Sequence, residues 1–316
     1  MECRVLGLLK KAAASKGRIG IVIGRERIAL AVVRRDSGAA VLERCEILPL
    51  DPKGGPDAVQ TALRAANLPR LPVSTVLRTE DYQLAMVEAP DVPPAELRAA
   101  MRWRLKDSID IRVEDAVIDV FDIPLQNRGG QGRMVYAVAA RQATVARHAE
   151  ALREIPGFDV VDVPELCLRN LAAQLPAAAA GVALLFVGET IATIVLVRGS
   201  TFYFARQMDL QATLRIAPGS TVNERLDAAS VMLELQRSLD YYERHFDQPP
   251  ITRIAVSPPG PRADDLAADL TRDTGLEATV LDLGSVLSCP QPVSAATQAA
   301  CLVAVGAALR EEHRTL

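Results

Sequence analysis

The chain has 316 residues and a mass of 34.0 kDa, which is enough for two domains or for one large two-lobed domain. Hydrophobic residues make up 49% of the chain and charged residues 24%, a composition that excludes disorder as the dominant state. Aromatic residues make up only 4%, and the net charge is −3, which argues against a surface on which single-stranded nucleic acid stacks. We therefore expect no nucleic-acid partner.

Charge is unevenly distributed along the chain. Residues 1–35 carry nine Lys or Arg and two Glu, a local charge of +7, so the remaining residues carry −10. Residues 1–18 predict a basic tail or a short amphipathic helix, and such a helix favours peripheral contact with an anionic membrane surface. A solvated tail is the alternative. The apolar side chains of this segment include Val5, Leu6, Leu8 and Leu9.

The five cysteines are widely spaced and include no C-x-x-C pair, so the sequence indicates neither a disulfide framework nor a zinc site. Buried free thiols in a reducing compartment are the expectation. No apolar run approaches the roughly 20 residues that span a bilayer, and the N-terminal segment lacks the pattern of a secretory signal. We therefore expect a cytoplasmic protein.

The first part of the chain predicts three antiparallel strands. Residues 19–33 form two strands around a turn at 24–27, and residues 41–50 form the third, because the connections are too short for parallel crossovers. A helix over 57–67 and a strand over 73–77 follow. The first unit is therefore three strands, a helix and a strand.

The next segment predicts a helix that begins at residue 93. Its apolar stripe consists of Leu97, Met101 and Leu105, and Trp103 stands off this stripe. The elements predicted after it are strands at 116–123 and 134–140 and helices at 144–155 and within 161–175.

The opening pattern returns after the PAAAAG run at 176–181. Strands at 182–186, 191–197 and 201–208 repeat the unit that begins near residue 19. Duplicated βββαβα units are the plan of two-lobed nucleotide-binding folds, so we predict an α/β fold with two lobes. The remaining predicted elements are helices at 222–246, 262–274 and 297–311 and strands at 253–257 and 279–283.

The tight turn after the first strand of each unit is the candidate phosphate site. In the actin and sugar-kinase arrangement, these turns present backbone amides to phosphates, and an Asp just before the Gly handles Mg²⁺. Here Val22 and Phe186 occupy the position of the acid, which predicts that hydrolysis is lost. Two expectations remain: weak ATP binding through the turns, or ordinary hairpin turns with no cofactor. The candidate residues are Gly24, Arg25, Gly188, Glu189 and Thr190.

Other catalytic patterns are absent from the sequence. No P-loop, G-x-S-x-G elbow or H-E-x-x-H zinc motif occurs, and His148, His245 and His313 are predicted at the surface rather than as general bases. Asp36, Asp51 or another acid remains a possible replacement for the missing carboxylates. The segment SPPGPR at 257–262 takes the place of a glycine-rich adenosine loop in a stiffer form.

The Trp103 helix is the candidate partner-binding surface. Trp and Arg are enriched among the residues that dominate interfaces. The alternative is a core Trp at the edge of an amphipathic helix. The candidate residues are Arg98, Arg102, Trp103 and Lys106.

The longest predicted helix has the pattern of a structural element. Glu234 and Arg237 are three residues apart, and Asp240 and Arg244 are four apart, as in surface ion pairs on a helix. The adjacent Tyr241 and Tyr242 can anchor such a helix by ring burial. We predict that this helix packs between the lobes.

Three segments together carry a resemblance to a known family. The hairpin at 19–33, the segment PDVPPAELRAAMRWRLKDSIDIRVEDAVIDVFDIP at 90–124 and the segment LELQRSLDYYERHF at 233–246 resemble the PilM-like family of type IV pilus biogenesis proteins. Within that family the resemblance is to MshI of the mannose-sensitive haemagglutinin (MSHA) pilus and, more distantly, to the cytoplasmic part of the type II secretion L protein.

The resemblance implies an α/β fold of the actin-like (ribonuclease H-like) type, with two duplicated lobes and a small inserted subdomain. It places the first lobe at 19–176, with the insertion at about 79–150, and the second lobe at 177–316. It also implies a cytoplasmic platform peripheral to the inner membrane. In PilM, the groove beside the inserted subdomain takes the N-terminal peptide of a membrane-anchored PilN-like protein.

Two functions follow as hypotheses. The first is a non-catalytic scaffold, a pseudo-ATPase that binds the cytoplasmic tail of a PilN-like inner-membrane protein and links it to the assembly ATPase. The second is an actin-like ATPase, or a nucleotide-binding sensor with a degenerate phosphate site. Release of phosphate from Mg-ATP distinguishes them.

Overall fold

The computed structural model describes residues 17–36, 39–124, 132–188, 190–210 and 228–311. Most of the predicted basic segment 1–18 therefore lies outside the described residues, and its membrane contact stays a prediction. In the described ranges, no helix combines the length and the apolar character needed to cross a membrane.

The elements of the first half follow in chain order. They are β1 (Gly17–Ile23), β2 (Arg27–Asp36), β3 (Ala39–Pro49), α1 (Gly55–Ala65), β4 (Val73–Val76), β5 (Tyr82–Glu88), α2 (Leu97–Leu105), β6 (Ala116–Asp122), β7 (Met134–Arg141), α3 (Gln142–Ala151), β8 (Phe158–Asp162) and α4 (Pro164–Ala172). Short 3₁₀ helices occur at Thr79–Asp81, Pro94–Glu96, Val113–Asp115 and Pro176–Ala180.

The second half repeats the same start. Its elements are β9 (Val182–Val187), β10 (Ile191–Arg198), β11 (Thr201–Asp209), α5 (Ala228–His245), β12 (Arg253–Ser257), α6 (Pro261–Thr274), β13 (Glu277–Val280), α7 (Leu283–Val286) and α8 (Ala295–Ala308).

The two five-stranded sheets have the same topology. Their strand orders are β3-β2-β1-β4-β8 and β11-β10-β9-β12-β13. In each sheet the first three strands form an antiparallel meander and the last two join in parallel. This is the duplication predicted from the internal repeat and the actin-like fold implied by the resemblance, and both are confirmed.

Both faces of each sheet are buried. Successive side chains of a strand point to opposite faces, and apolar residues occur on both. In β1, Ile19 and Ile21 pack with helices α1 and α3, whereas Gly20 lies against α8. In β9, Leu184 faces the core shared by the lobes, and Leu185 faces α5 and α6. Helices α4 and α8 therefore lie between the two sheets and form the contact between the lobes.

Two glycines permit this close packing. A Cβ at Gly20 would overlap the carbonyl oxygen of Ala304 in α8, and a Cβ at Gly306 would overlap the carbonyl oxygen of Cys167 in α4. Asn170 fixes the same crossing, because its Nδ2 donates to the Gly306 oxygen at 3.0 Å. Any larger side chain at either glycine would push a helix away from its neighbour.

The insertion is a three-stranded antiparallel sheet of order β5-β7-β6 with α2 on one face. The predicted stripe of α2 is confirmed, since Leu97, Met101 and Leu105 are all buried against this sheet. Helix α3 lies within the predicted range of the insertion, 79–150, but packs on α1 of the first lobe.

Several predicted elements differ from those observed. Strands β5 and β8 were not predicted, and of the predicted helix 222–246 the structure describes Ala228–His245. The predicted strand 279–283 is wrong at its end, because β13 stops at Val280 and Asp282 caps α7 by accepting the Gly284 amide. The predicted last helix, 297–311, is observed at Ala295–Ala308.

The prediction that the histidines lie at the surface is wrong for two of them. His148 is buried, with its Nδ1 3.3 Å from the Thr75 hydroxyl, and His245 is buried with its ring stacked on Tyr241. Burial lowers the pKa of His148, which is therefore neutral near pH 7. His313 lies outside the described residues.

Candidate functional site

The two candidate phosphate turns lie at the carboxyl ends of β1 and β9, beside the contact between the lobes. β12 runs parallel to β9, with Ser257 opposite Phe186, so the segment 257–262 leaves the sheet at the same edge as the second turn. The topology therefore places the predicted turns and the altered adenosine loop at the carboxyl ends of the strands where the two lobes meet, the region called the cleft below.

The glycine amides of both turns are engaged within their own hairpins. The Gly24 amide donates to the carbonyl oxygen of Arg27 at 2.9 Å, and the Gly188 amide donates to that of Ile191 at 3.0 Å. Arg25 and Thr190 are exposed beside them, and Glu189 lies outside the described residues. The glycines thus close hairpins and do not direct their N–H groups into the cleft.

Val22 and Phe186 are partly buried and pack into the core between the lobes. Both contact the cluster that includes Leu168 of α4 and Leu302 of α8. Neither side chain supplies the oxygen ligands that Mg²⁺ requires. The residues at these two positions do not fit a bound Mg²⁺ ion.

The acids that could replace the missing Mg²⁺-binding carboxylates lie elsewhere or are already bonded within the protein. Asp36 lies at the opposite end of its sheet, since it pairs with Ala39 at the β2–β3 turn. Asp51 is exposed and accepts the Lys53 amide at 2.9 Å. Asp162, at the carboxyl end of β8, is fully buried and bound to Arg310 at 2.6 Å and to the Val163 amide at 2.9 Å.

Glu165 is a buried acid that sequence reasoning did not single out. Its side chain in the first turn of α4 is 0% exposed, and both carboxylate oxygens accept hydrogen bonds. The Tyr82 hydroxyl donates at 2.6 Å and the Gln207 side-chain amide at 2.5 Å. Burial raises the pKa of Glu165. Its donors come from 83 and 42 residues away, so no local pattern reveals the group.

Helix α2 is the second candidate site, and its tryptophan is exposed. Trp103 is 81% exposed, so the alternative of a core Trp is wrong. Arg102 and Lys106 are exposed beside it, and the Arg102 guanidinium donates to the Val113 carbonyl oxygen at 2.9 Å. The structure thus places an aromatic ring and two cations together on the outer face of the insertion.

Arg98 has a different role from the other candidates on α2. Its Nε is 2.8 Å from Oδ1 of Asp119, a carboxylate that is only 3% exposed. Burial raises the pKa of Asp119 to about 6, and Arg98 opposes this shift. The pair fixes α2 against β6 and so positions the exposed residues of the helix.

Helix α5 is a structural element, but it packs mainly within the second lobe rather than between the lobes. It lies on β10 and β11, and the fully buried Tyr242 receives a hydrogen bond from Arg198 at 3.0 Å. Tyr241 reaches the insertion, where its hydroxyl lies 3.5 Å from the sulfur of Met86. The predicted pairs are present, at 2.5 Å for Glu234–Arg237 and 3.6 Å for Asp240–Arg244.

The described part of the chain contains no group of three or more His, Cys, Asp or Glu side chains that could hold a metal ion. Cys45, Cys167, Cys289 and Cys301 are free thiols.

Comparison with known proteins gives structural likenesses only. No protein-family model matches the sequence, and no curated protein matches it either. A chain of the PilM–PilN type IV pilus biogenesis complex is 22% identical, with a TM-score of 0.68, and the match covers 93% of this chain and 98% of that one. This likeness shows a shared fold, the fold implied by the PilM-like resemblance, and does not distinguish MshI from its relatives.

Two further solved structures match with lower scores. The cytoplasmic domain of EpsL, an inner-membrane component of the type II secretion system of Vibrio cholerae, is 14% identical over 93% of this chain and 96% of that chain, with a TM-score of 0.49. A Bacteroides thetaiotaomicron protein with an actin-like ATPase fold is 8% identical over 89% of this chain and 96% of that chain, also with a TM-score of 0.49.

Proposed function

We propose that this protein is a non-catalytic cytoplasmic scaffold of a type IV pilus assembly machine of the MSHA type. In this proposal it lies at the inner membrane and binds the cytoplasmic tail of a PilN-like protein through the outer face of α2. It would link that tail to the assembly ATPase. The observation that carries the proposal is the exposed Trp103 on the insertion, in a fold shared with a PilM–PilN complex chain.

The chemistry of α2 suits a peptide partner. An exposed indole offers a large apolar surface with one N–H donor, and such residues dominate binding energy when a partner covers them. Arg102 and Lys106 add cations that can bind carboxylates or carbonyl oxygens of a peptide. Arg98 supports the site from within through Asp119.

The cleft between the lobes supports the non-catalytic part of the proposal. Val22 and Phe186 pack into the core, Asp162 is paired with Arg310, and Glu165 accepts two hydrogen bonds. Each of these groups already has a structural partner, and a catalytic carboxylate instead requires a free oxygen directed at metal or water.

Intrinsic fluorescence tests the binding site directly, because Trp103 is the single tryptophan of the chain. We expect a synthetic peptide of the PilN-like cytoplasmic tail to shift the emission to shorter wavelength and to protect Trp103 from acrylamide quenching. Trp103→Ala, followed with a labelled peptide, is expected to weaken binding by about 2 kcal/mol, roughly thirtyfold.

We also expect Arg102→Ala to weaken binding of the peptide, and Arg104→Ala is its matched control. Arg104 lies on the same helix, but its charge is paired with the Glu88 carboxylate at 3.1 Å, whereas Arg102 donates to the uncharged Val113 carbonyl oxygen. The loss of Arg104 should therefore change affinity less than the loss of Arg102. Unchanged Trp103 emission at saturating peptide, or an affinity that Trp103→Ala leaves unaltered, would contradict the proposed site.

A further inference from the structure

The inner face of the inserted sheet is bound to the second lobe, although the chain joins the insertion to the first lobe. The Tyr136 hydroxyl of β7 accepts the Ala205 amide of β11 at 3.1 Å. The rings of Phe121, Tyr136 and Phe202 pack together, with centroids 5.3 to 5.4 Å apart. These contacts bind the insertion to β11 of the second lobe.

Glu165 connects three parts of the molecule at the edge of this contact. The carboxylate belongs to α4, which lies between the lobes, its first donor Tyr82 belongs to the insertion, and its second donor Gln207 belongs to the second lobe. Gln207 also donates to the Tyr82 hydroxyl at 3.2 Å. The three side chains therefore form a closed triangle of hydrogen bonds.

Because Glu165 is buried, its hydrogen bonds restrict movement of the insertion relative to the second lobe. Glu165 is 0% exposed, so water does not replace a donor that moves away, and an unsatisfied buried carboxylate is strongly disfavoured. Any displacement of the insertion from the second lobe must break a bond to this group. The triangle therefore favours one relative position of the three parts.

The second lobe connects the triangle to the cleft through adjacent strands. Gln207 of β11 is paired with Thr193 of β10, and Thr193 is paired with Phe186 of β9, two residues before the turn at Gly188. Three neighbouring positions of one sheet, Phe186, Thr193 and Gln207, thus connect the turn at Gly188 to the hydrogen bond on Glu165.

We propose that Glu165, Tyr82 and Gln207 form a latch that makes the insertion, with α2 on its outer face, move with the second lobe. A change at the cleft would then alter the position of α2, and a partner on α2 would reciprocally affect the cleft. This coupling requires neither nucleotide hydrolysis nor the particular partner proposed above.

Hydrogen exchange of the full-length chain tests the latch from both sides. Gln207→Ala changes only the second lobe, and we expect it to increase exchange about tenfold in the peptide covering β5 of the insertion. Tyr82→Phe changes only the insertion, keeps the ring, and is expected to increase exchange in β11 to a similar extent.

Gln83→Ala is the matched control. Gln83 follows Tyr82, but its hydrogen bonds to described residues lie within the insertion. Its side-chain amide donates to the Asp110 carboxylate at 2.5 Å, and its side-chain oxygen accepts the Asp110 amide at 2.8 Å. Its loss should affect the insertion and leave β11 unchanged. The latch is refuted if Gln207→Ala alters β11 alone and Tyr82→Phe alters the insertion alone, with both variants folded by circular dichroism.

Discussion

The cleft between the lobes and the outer face of α2 differ in whether their functional side chains have partners within the protein. In the cleft, the acids Asp162 and Glu165 are buried and bonded to partners within the protein. On α2, Trp103 and Lys106 face solvent. Polar and aromatic groups that satisfy one another stabilise a fold, whereas exposed ones are available to a partner. The predictions below test this contrast, beginning with the largest effect.

Loss of Asp162 should destabilise the protein most. Asp162→Ala leaves the Arg310 guanidinium largely buried without its carboxylate, and we expect the free energy of unfolding to fall by about 3–5 kcal/mol. Urea denaturation measures this. Asp51→Ala removes an exposed acid that follows β3 at the other edge of the sheet; it is the control and should change stability by about 0.5 kcal/mol or less. Equal effects of the two variants would mean that Asp162 is not structural.

An acid at the position of Phe186 should not create a metal site. Phe186→Asp places a carboxylate in the apolar core between the lobes, so we expect a loss of about 3 kcal/mol. Phe186→Leu, which keeps an apolar side chain, should lose less. Thermal denaturation with and without Mg²⁺ is the measurement. Recovery of Phe186→Asp by Mg²⁺ would show that the cleft retains the other ligands of an active site.

The Asp119 carboxyl should make stability depend on pH. Its pKa is raised from 3.8 to about 6, so the folded protein holds this proton more tightly than the unfolded chain does. That stabilisation is complete below about pH 4 and is lost as the pH rises through 6, with a total of about 3 kcal/mol. Asp119→Asn should remove this contribution. In urea denaturation, the free energy of unfolding of the variant should therefore fall less between pH 4 and pH 6.5 than that of the unchanged protein. A variant with an unchanged profile would contradict the raised pKa.

Truncation of Trp103 should have the smallest effect on stability. Because its ring is exposed, Trp103→Ala should change the free energy of unfolding by about 0.5 kcal/mol or less while it weakens peptide binding. Met101→Ala on the buried face of the same helix is the control, with an expected loss of about 2–5 kcal/mol. Comparable losses in the two variants would mean that Trp103 belongs to the core.

The duplicated fold was predictable because it rests on local patterns. Two antiparallel meanders with short turns read directly as strands, and their recurrence predicts two equivalent sheets. Strand β5 was missed because apolar residues occur on both of its faces: Leu84 and Met86 face inward to the second lobe and Ala85 and Val87 face α2, so the alternation of a half-exposed strand is absent.

The candidate sites were less predictable because exposure depends on distant neighbours. Trp103 lies two residues from Met101, about 200° around the helix, but only the tertiary structure shows that nothing in the described chain covers that face. His148 stands among charged residues, yet it continues the buried stripe of Thr144, Val145 and Ala151. Glu165 has no local signal, since its donors come from two other parts of the molecule.

Phosphate release from Mg-ATP by the purified full-length chain tests the central claim most directly. Because the carboxylates of the cleft are bonded within the protein and Val22 and Phe186 replace the missing acids, we expect no release above that of Mg-ATP alone. Turnover that copurifies with the chain and disappears in Glu165→Gln would contradict the account, because it would show that the cleft is an active site.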